Sequence, residues 1–470
     1  MSTPAATARL VAIQDELWDP DRGLLLVPAG TTPGLDLGAL GLHSVRESAL
    51  GALLDLRTGR TERAVTALRN VLALQYDAPG RPWDGTFPVT AEQAEPPDDA
   101  IEFLHFDPNW RQFLGTVLIV VLHEFGDALP QDLVAAAWAA VVRCATGEPV
   151  DRIPEWYTNP TLLHAWVAAH AGQHLGDDRL TAEGVARAQR AVARVEAVGD
   201  VDEYNSPTYD GVDLVATTLW TALPPTPEFV GWGRSLTGTL CRRISTLVDA
   251  GSGVVCGPYS RAYGYDLTRY ISLLGLWLTV AGVDRCLPAG IGPATDHVHD
   301  LYFLPLVEHL SGVVDLPWDL RPVTDVRRHS QTVGGVVATS LLGPGRAVGH
   351  AVGPVIGSVG DQYVPFSAHV RDAAGDLVYV VARPGPGCVS VDVEEEAPDR
   401  YRVVVAQAGA SVRWTCSRPP EVGDASVAVG PVRVTWTGAS AHEVVETATG
   451  DVDALVTGDE VTYAVEVPAP

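Results

Sequence analysis

The sequence predicts a multi-domain fold, α then β: an (α/α)6-type helical toroid followed by an antiparallel β-sandwich. Three observations predict it. A unit of polar-aromatic loop, apolar helix, short turn and second helix recurs about every 50 residues, with Asn109, Asn159 and Asn205 at matching places. Beyond Pro317-Trp318 the helical period stops. From there, short alternating apolar runs follow one another between Gly, Pro and Asp turns.

The elements follow in order. Residues 4–17 predict a short helix. A second follows Ser44, with Val45, Ala49, Leu53, Leu54 and Leu56 at helical spacing. Thr61 is placed as the N-cap of a third, which runs to Gln75 through Val65, Leu68, Val71 and Leu72. The prolines and glycines of Arg81-Pro82-Trp83-Asp84-Gly85 and Pro96-Pro97-Asp98-Asp99 forbid regular structure between them. Then the repeats begin. Loop 102–111 leads into a helix to Phe125, and Pro130 opens its return to Cys144. Loop 154–160 leads into helix 162–174, returned by 180–198. Loop 202–210 leads into a helix to Trp220, returned by 227–248. Loop 256–266 leads into 267–280, and the closing helices include 297–310. Helical hairpins bury their faces by stacking on each other. Closure into a ring, preferred here to an open solenoid, brings the long loops to one end.

Strand-like runs occupy 336–339, 377–381, 401–406, 412–416, 432–437 and 461–467. The expected domains are therefore 1–318, a catalytic toroid, and 325–470, a sandwich, with 317–324 as linker.

Composition narrows the function classes. A net charge of -26 argues against nucleic-acid binding, which needs a basic face. No apolar run reaches membrane-spanning length, and no basic segment followed by an apolar run opens the chain. Cys144, Cys241, Cys256, Cys286, Cys388 and Cys416 are scattered, without a C-x-x-C pair. A reduced, cytoplasmic setting and no metal are expected. All 32 basic side chains are arginine, which excludes a lysine Schiff base and a P-loop lysine. No cofactor is expected, and the oligomeric state is left open.

The four long loops carry the chemistry. Trp110, Trp156, Tyr157, Tyr204, Tyr209, Tyr259, Tyr263 and Tyr265 supply ring faces for the C–H faces of a sugar. Asp107, Glu155, Glu203, Asp210 and Asp266, with Asn109 and Asn205, supply hydroxyl partners. Arg111 and Arg261 suit a substrate carboxylate, and His105 adds a titratable group. Helix capping alone would also select Asp107, Asn159 and Asn205, since each precedes a proline or a helix start.

The run Glu203-Tyr204-Asn205-Ser206-Pro207-Thr208-Tyr209 resembles the Glu-x-Ser-Pro-x-Tyr motif of the heparinase II/III and alginate lyase families. The resemblance implies a helical toroid followed by a β-sandwich. It also implies Tyr209 as catalytic acid or base, and Asn159 as the residue that neutralises a substrate uronate. The sequence departs from the pattern: one extra residue separates Glu203 from Ser206, Asp210 replaces a histidine, and Pro160 follows Asn159. The EYNSPTY stretch is also similar to stretches in fungal and actinobacterial proteins, a likeness that implies no function.

The expected activity is β-elimination on a uronate-containing oligosaccharide, with Tyr209, Asn159, Glu203, His105 and Arg261 as the catalytic set. Negative charge building on the uronate needs Asn and Arg donors, and Tyr or His moves the proton. An inverting glycoside hydrolase is the alternative, with a carboxylate pair drawn from Glu155, Glu203 and Asp266. A toroid enzyme acting on a terpenoid or other small metabolite is the third class. A non-catalytic glycan-binding module is disfavoured, since binding alone rarely needs so many ionisable groups. His297-Val298-His299 lacks a third ligand for a metal, and Gly343-Pro344-Gly345-Arg346 lacks the context of a dinucleotide site. His329 and His350 are noted as histidines the sandwich offers.

Overall fold

The apolar spacing produces helices close to the predicted places. The computed structural model describes residues 1–32, 36–354, 362–385, 391–405, 411–439, 441–447, 450–457 and 461–468. Its helices are α1 (Thr3–Leu17), α2 (Val45–Arg57), α3 (Thr61–Leu72), α4 (Trp110–Phe125), α5 (Gln131–Thr146), α6 (Thr158–Leu175), α7 (Asp178–Val198), α8 (Tyr209–Ala222), α9 (Pro227–Leu247), α10 (Leu273–Val280) and α11 (Leu304–Val313). Ser44 Oγ caps α2 by accepting the Glu47 N–H.

Some boundaries differ from the expectation, and α3 ends at Leu72 rather than Gln75. Arg60, not Thr61, sits at the N-cap of α3 and makes no side-chain cap. α6 begins at Thr158 rather than Leu162, because Pro160 fits the first turn, where a missing N–H breaks no helical bond. α10 begins at Leu273 rather than Leu267, where Ser272 Oγ accepts the Gly275 N–H. The closing segment is a 3-10 turn, Val298–Phe303, that runs into α11.

The chain forms two compact units. The first comprises Met1–Ala193, Val212–Thr237 and Ala289–Asp315. Here α2 packs on α3 and α4, and α4 packs on α5 and α6. Trp166 Nε1 donates to Leu223 O at 2.9 Å and Trp220 Nε1 to Leu162 O at 3.2 Å, which locks α6 to α8. The 3-10 turn and α11 pack back on α2. α4 and α6 are buried almost all round, from Leu114 to Leu122 and from Thr158 to Gly172, as helices with neighbours on every side must be.

The second unit comprises Arg194–Gly211, Gly238–Pro288 and Leu316–Pro470. A small three-stranded sheet joins β1 (Trp18–Asp19), β2 (Leu24–Leu26) and β3 (His43–Ser44) in the first unit, and a two-stranded pairing joins β4 (Val248–Asp249) and β5 (Val254–Val255) in the second. The long strands are β6 (Arg327–Val333), β7 (Val336–Gly343), β8 (Arg346–Val352), β9 (Phe366–Arg371), β10 (Leu377–Pro384), β11 (Val391–Ala397), β12 (Arg400–Val405), β13 (Ser411–Cys416), β14 (Glu421–Gly423), β15 (Ser426–Val429), β16 (Val432–Thr437), β17 (Ala441–Glu446), β18 (Val452–Thr457) and β19 (Thr462–Glu466). They form an eight-stranded sheet, β17-β18-β13-β10-β9-β8-β7-β6, and a six-stranded sheet, β11-β12-β19-β16-β15-β14. Every long-strand pairing is antiparallel. The sheets share one core: Phe366 meets Tyr401 at 5.5 Å, and Trp414 meets Tyr463 at 5.3 Å, each pair crossing from one sheet to the other. The fold class is a helical toroid followed by an antiparallel β-sandwich.

Backbone contacts hold the loop 256–266 against the strands. Tyr259 and Val364 exchange N–H···O bonds of 3.0 and 2.9 Å, and Ser340 Oγ donates to Gly257 O at 2.6 Å. Gly349 permits this approach, since a Cβ there would lie 1.8 Å from the Gly257 carbonyl carbon. Residues 319–323, expected as a linker, are tied down as well: Asp319 N donates to Ser245 Oγ at 3.0 Å and Val323 N to Asp249 Oδ1 at 2.9 Å. Cys388 and Ala406 lie outside the described residues. Among the described residues, no helix is long and apolar enough to cross a membrane.

Candidate functional site

The acidic, aromatic stretch 202–210 folds as a capped helix entrance. Asn205 takes a left-handed φ of 51°, which asparagine tolerates better than most residues. Its Nδ2 donates to Cys256 O at 2.7 Å and Pro258 O at 2.8 Å, joining this stretch to loop 256–266. Ser206 Oγ accepts the Tyr209 N–H at 3.0 Å and donates to Arg261 O at 2.6 Å. Tyr209 is therefore fixed as the first residue of α8, half-buried.

Arg261 organises what surrounds that ring. Its NH1 donates to Glu203 Oε1 at 2.7 Å, its NH2 to the Tyr209 hydroxyl at 2.9 Å, and its Nε to Gln362 Oε1 at 3.0 Å. The guanidinium carbon lies 3.9 Å from the Tyr209 ring centroid. The Tyr209 and Tyr263 hydroxyls share a hydrogen bond of 2.8 Å. Tyr263 is 42% exposed and Tyr209 half-buried, whereas the Arg261 and Glu203 side chains are only 9% and 5% exposed. A buried ion pair thus aims a cation at a phenol that solutes can reach.

The second unit holds a second charged group. Arg243 donates to Asp210 at 2.7 and 3.1 Å and pairs with Asp200 at 3.0 Å, over the Tyr204 ring. Burial opposes the charge of Arg243, but its two carboxylate partners outweigh that and raise its pKa.

The first unit gathers a separate set at the starts of α4 and α6. Asn109 Nδ2 donates to the Tyr157 hydroxyl at 2.9 Å and Arg152 NH2 donates to Asn109 Oδ1 at 3.2 Å. Arg152 also binds Glu148, which accepts Gln112 Nε2 at 2.8 Å. Trp156, 39% exposed, stacks on Tyr157 at 5.9 Å. Asp107 is half-buried and accepts the Asn109 N–H at 2.9 Å. Burial pushes its pKa up, against the pull of Arg46 and Arg152.

Residues 7–312 match the family described as a domain of unknown function, DUF8769. The chain belongs to this family. No curated protein matches the sequence. Among solved structures, the chain is similar to heparinase III, at 9% identity and a TM-score of 0.48, over 90% of this chain and 76% of that one. It is also similar to a GH127 β-arabinofuranosidase, at 9% identity and 0.33, over 100% and 76%. A third is endoglucanase CelQ from Clostridium thermocellum, at 8% and 0.30, over 90% and 83%. These likenesses assign no role to any residue of the DUF8769 chain.

Several residues chosen from sequence for a substrate instead serve the fold. Arg111, fully buried, donates to the carbonyls of Asp84 at 2.7 Å, Pro108 at 3.2 Å and Pro82 and pairs with Glu148 at 3.4 Å, so its donors close the irregular segment. Asn205 and Asp210 spend their polar atoms on the bonds described above. Tyr259 is buried and donates to Val255 O at 2.6 Å, and Tyr204 is buried beneath Arg243. Tyr265 is buried against Tyr379 at 5.7 Å. His105 Nδ1 accepts the Ile101 N–H at 2.9 Å and shapes its own loop. Asp266 accepts from Thr268 N and Oγ1 at 2.8 and 2.7 Å, and exposed Glu155 pairs with Arg190 at 3.2 Å. Asn159 is buried in the first turn of α6, and Trp110 is 6% exposed in the first turn of α4.

The sequence reading missed Gln362, Arg243, Asp200, Arg152 and Glu148. Gln362, Arg243 and Asp200 carry no local signal, since their partners are distant in sequence, whereas Glu148 and Arg152 stand four apart and pair with each other. His350, offered by the sandwich, bonds Val393 O at 3.1 Å, and His329 bonds Gln331 at 3.3 Å.

The buried set in the first unit makes a pH prediction. His164 sits 3.4 Å from Gln112 Nε2, and burial pushes its pKa down to about 4 despite Glu148. The unfolded chain then binds this proton more tightly than the folded one. The contribution is intact above the unfolded value of 6.5 and is lost as pH falls toward 4. Between pH 7 and 4 the parent should lose about 3 kcal/mol relative to His164→Gln, read from urea midpoints. Parallel pH curves for the two proteins would remove His164 as the cause.

Proposed function

We propose that the chain is a carbohydrate-active enzyme that carries out β-elimination on a uronate-containing oligosaccharide, with Tyr209 as the group that moves the proton. The observation that carries this reading is the Tyr209 hydroxyl, held 2.9 Å from Arg261 NH2 and 2.8 Å from the Tyr263 hydroxyl, with the guanidinium over its ring. A fixed cation favours the phenolate, the form of Tyr209 that can accept a proton. Tyr209 takes the proton on the carbon next to the uronate carboxylate. The electron pair of that C–H bond forms the new C=C bond, and the bond from the adjacent carbon to the leaving oxygen breaks. The proton then goes to the leaving oxygen, and Tyr263 offers a second hydroxyl along that route. Arg261 supplies positive charge near the developing anion.

The hydrolase alternative needs two available carboxyl groups. Glu203 is paired with Arg261, Asp266 accepts from Thr268, and Glu155 is exposed and paired with Arg190. That engagement supports elimination over hydrolysis by those residues.

The test is a product assay on uronate and neutral oligosaccharides, read by ultraviolet absorbance and mass spectrometry. Products with a conjugated double bond and no added water are expected. Products that gain water without new absorbance would replace elimination with hydrolysis, and no turnover of any sugar would move the reading to a small metabolite.

A further inference from the structure

The first unit contains a polar cluster that the reading above does not use. Arg46, in the first turn of α2, lies with its guanidinium 5.5 Å from Trp110, 5.8 Å from Phe113 and 6.0 Å from Phe303. Its NH2 pairs with Glu47 at 2.7 Å, so its charge is largely balanced. The 3-10 turn that packs on α2 brings His299 and Asp300 alongside, 3.5 Å apart, just after His297. The His297 and His299 rings are 5.3 Å apart. The side chains of Arg46, His297, His299 and Asp300 are 15, 15, 14 and 10% exposed. Each is mostly enclosed, yet each keeps a small opening.

Three features point to a ligand. His299 Nδ1 is buried and has no hydrogen-bond partner among the described residues, an arrangement that costs stability unless something else binds there. His297 holds a left-handed φ of 55°, a strained backbone for a histidine, and such strain concentrates at functional sites. Two carboxyl groups within electrostatic reach of Arg46 are driven toward the protonated form: burial pushes Asp300 up to about 6, and burial also raises Asp107. For His297, burial opposes the charge, but the hydrogen bond and charge of Asp296 raise its pKa. Among the described residues, no group of three His, Cys, Asp or Glu is placed to hold a metal.

We propose that Arg46, His297, His299 and Asp300 form a binding site in the first unit for a neutral, hydroxyl-rich ligand, a pyranose or polyol unit. Donors and acceptors stand side by side there without an excess of either charge. A hydroxyl group both donates and accepts, so vicinal hydroxyls satisfy such a set. A carboxylate ligand would find no unbalanced cation there, since Arg46 is paired with Glu47 and His297 with Asp296. The site is argued from the first unit alone, and holds whether or not Tyr209 catalyses elimination.

The test is isothermal titration of the full chain at pH 7 with maltose, cellobiose and lactose, and with glucuronate and galacturonate as charged counterparts. At least one neutral disaccharide should bind, at one site per chain, and more tightly than either uronate. Asp300→Ala should weaken that binding at least tenfold. His299→Ala, which breaks no hydrogen bond at Nδ1, should weaken it too, and serves where Asp300→Ala does not fold. Tyr209→Phe should leave the binding in place, whatever it does to turnover. The proposal is overturned if no neutral disaccharide binds, if a uronate binds more tightly, or if Asp300→Ala and His299→Ala bind like the parent. Loss of binding in Tyr209→Phe would place the sugar at the Tyr209 cluster and overturn it equally.

Discussion

Arg243→Met should destabilise the protein by roughly 3–5 kcal/mol at neutral pH, the largest stability effect expected of a single side chain here. Arg243 is 2% exposed and stands between Asp210 and Asp200, which are 0 and 1% exposed. Removing it leaves two buried carboxylates with no cation beside them. Methionine keeps the volume, so the cost comes from charge rather than from a cavity. The effect should depend on pH. Burial already pushes Asp210 up to about 6 with Arg243 opposing, and without the arginine it can only go higher. A carboxyl group whose folded pKa is raised binds its proton more tightly in the folded state, so stability falls as pH rises from the unfolded value through the folded one. Arg243→Met should therefore regain part of its lost stability at pH 5 relative to pH 7.5, in urea midpoints. A uniform loss at both pH values would mean that packing, not the two carboxylates, sets the cost. Asp210 adjoins Tyr209, so Arg243 is also a positioning residue for the start of α8.

The same residues show how far the sequence can be read. Asp210 and Arg243 are 33 positions apart, and nothing local tells that this aspartate meets an arginine rather than a substrate. Asn205 and Tyr259 have the chemistry of a sugar site, yet spend it on backbone carbonyls, a choice fixed by tertiary contacts alone. Tyr209, Glu203 and Arg261 were legible because the loops holding them recur at helix entrances, and they do meet. The helices were legible because α2, α4 and α6 carry long apolar runs. The strands were less so. β8 carries Gly349, required for the approach of Gly257, and β6 alternates exposed polar residues, so neither stands out as an apolar run. Arg46, His299 and Asp300 come from opposite ends of the helical part, and only the packing of the last helical turn on α2 joins them.

Tyr209→Phe should lower kcat on uronate oligosaccharides by roughly 10²–10⁴-fold, the range of a lost general acid or base. The ring stays, and with it the contact under the Arg261 guanidinium at 3.9 Å. Only the hydroxyl goes, with its bonds to Arg261 and Tyr263. Tyr209 is half-buried, so the stability cost should be about 1 kcal/mol and KM should change little. Glu203→Gln makes the contrast. It leaves Arg261 without the carboxylate 2.7 Å away, so the guanidinium loses its orientation while the phenol remains. Under elimination this variant should lose less kcat than Tyr209→Phe, because Glu203 acts through Arg261 rather than on the substrate. Under hydrolysis the order reverses, since a carboxyl group would then carry the proton or activate water. Full activity in Tyr209→Phe removes Tyr209 from the mechanism, and a dead Glu203→Gln beside an active Tyr209→Phe assigns the chemistry to the carboxylate.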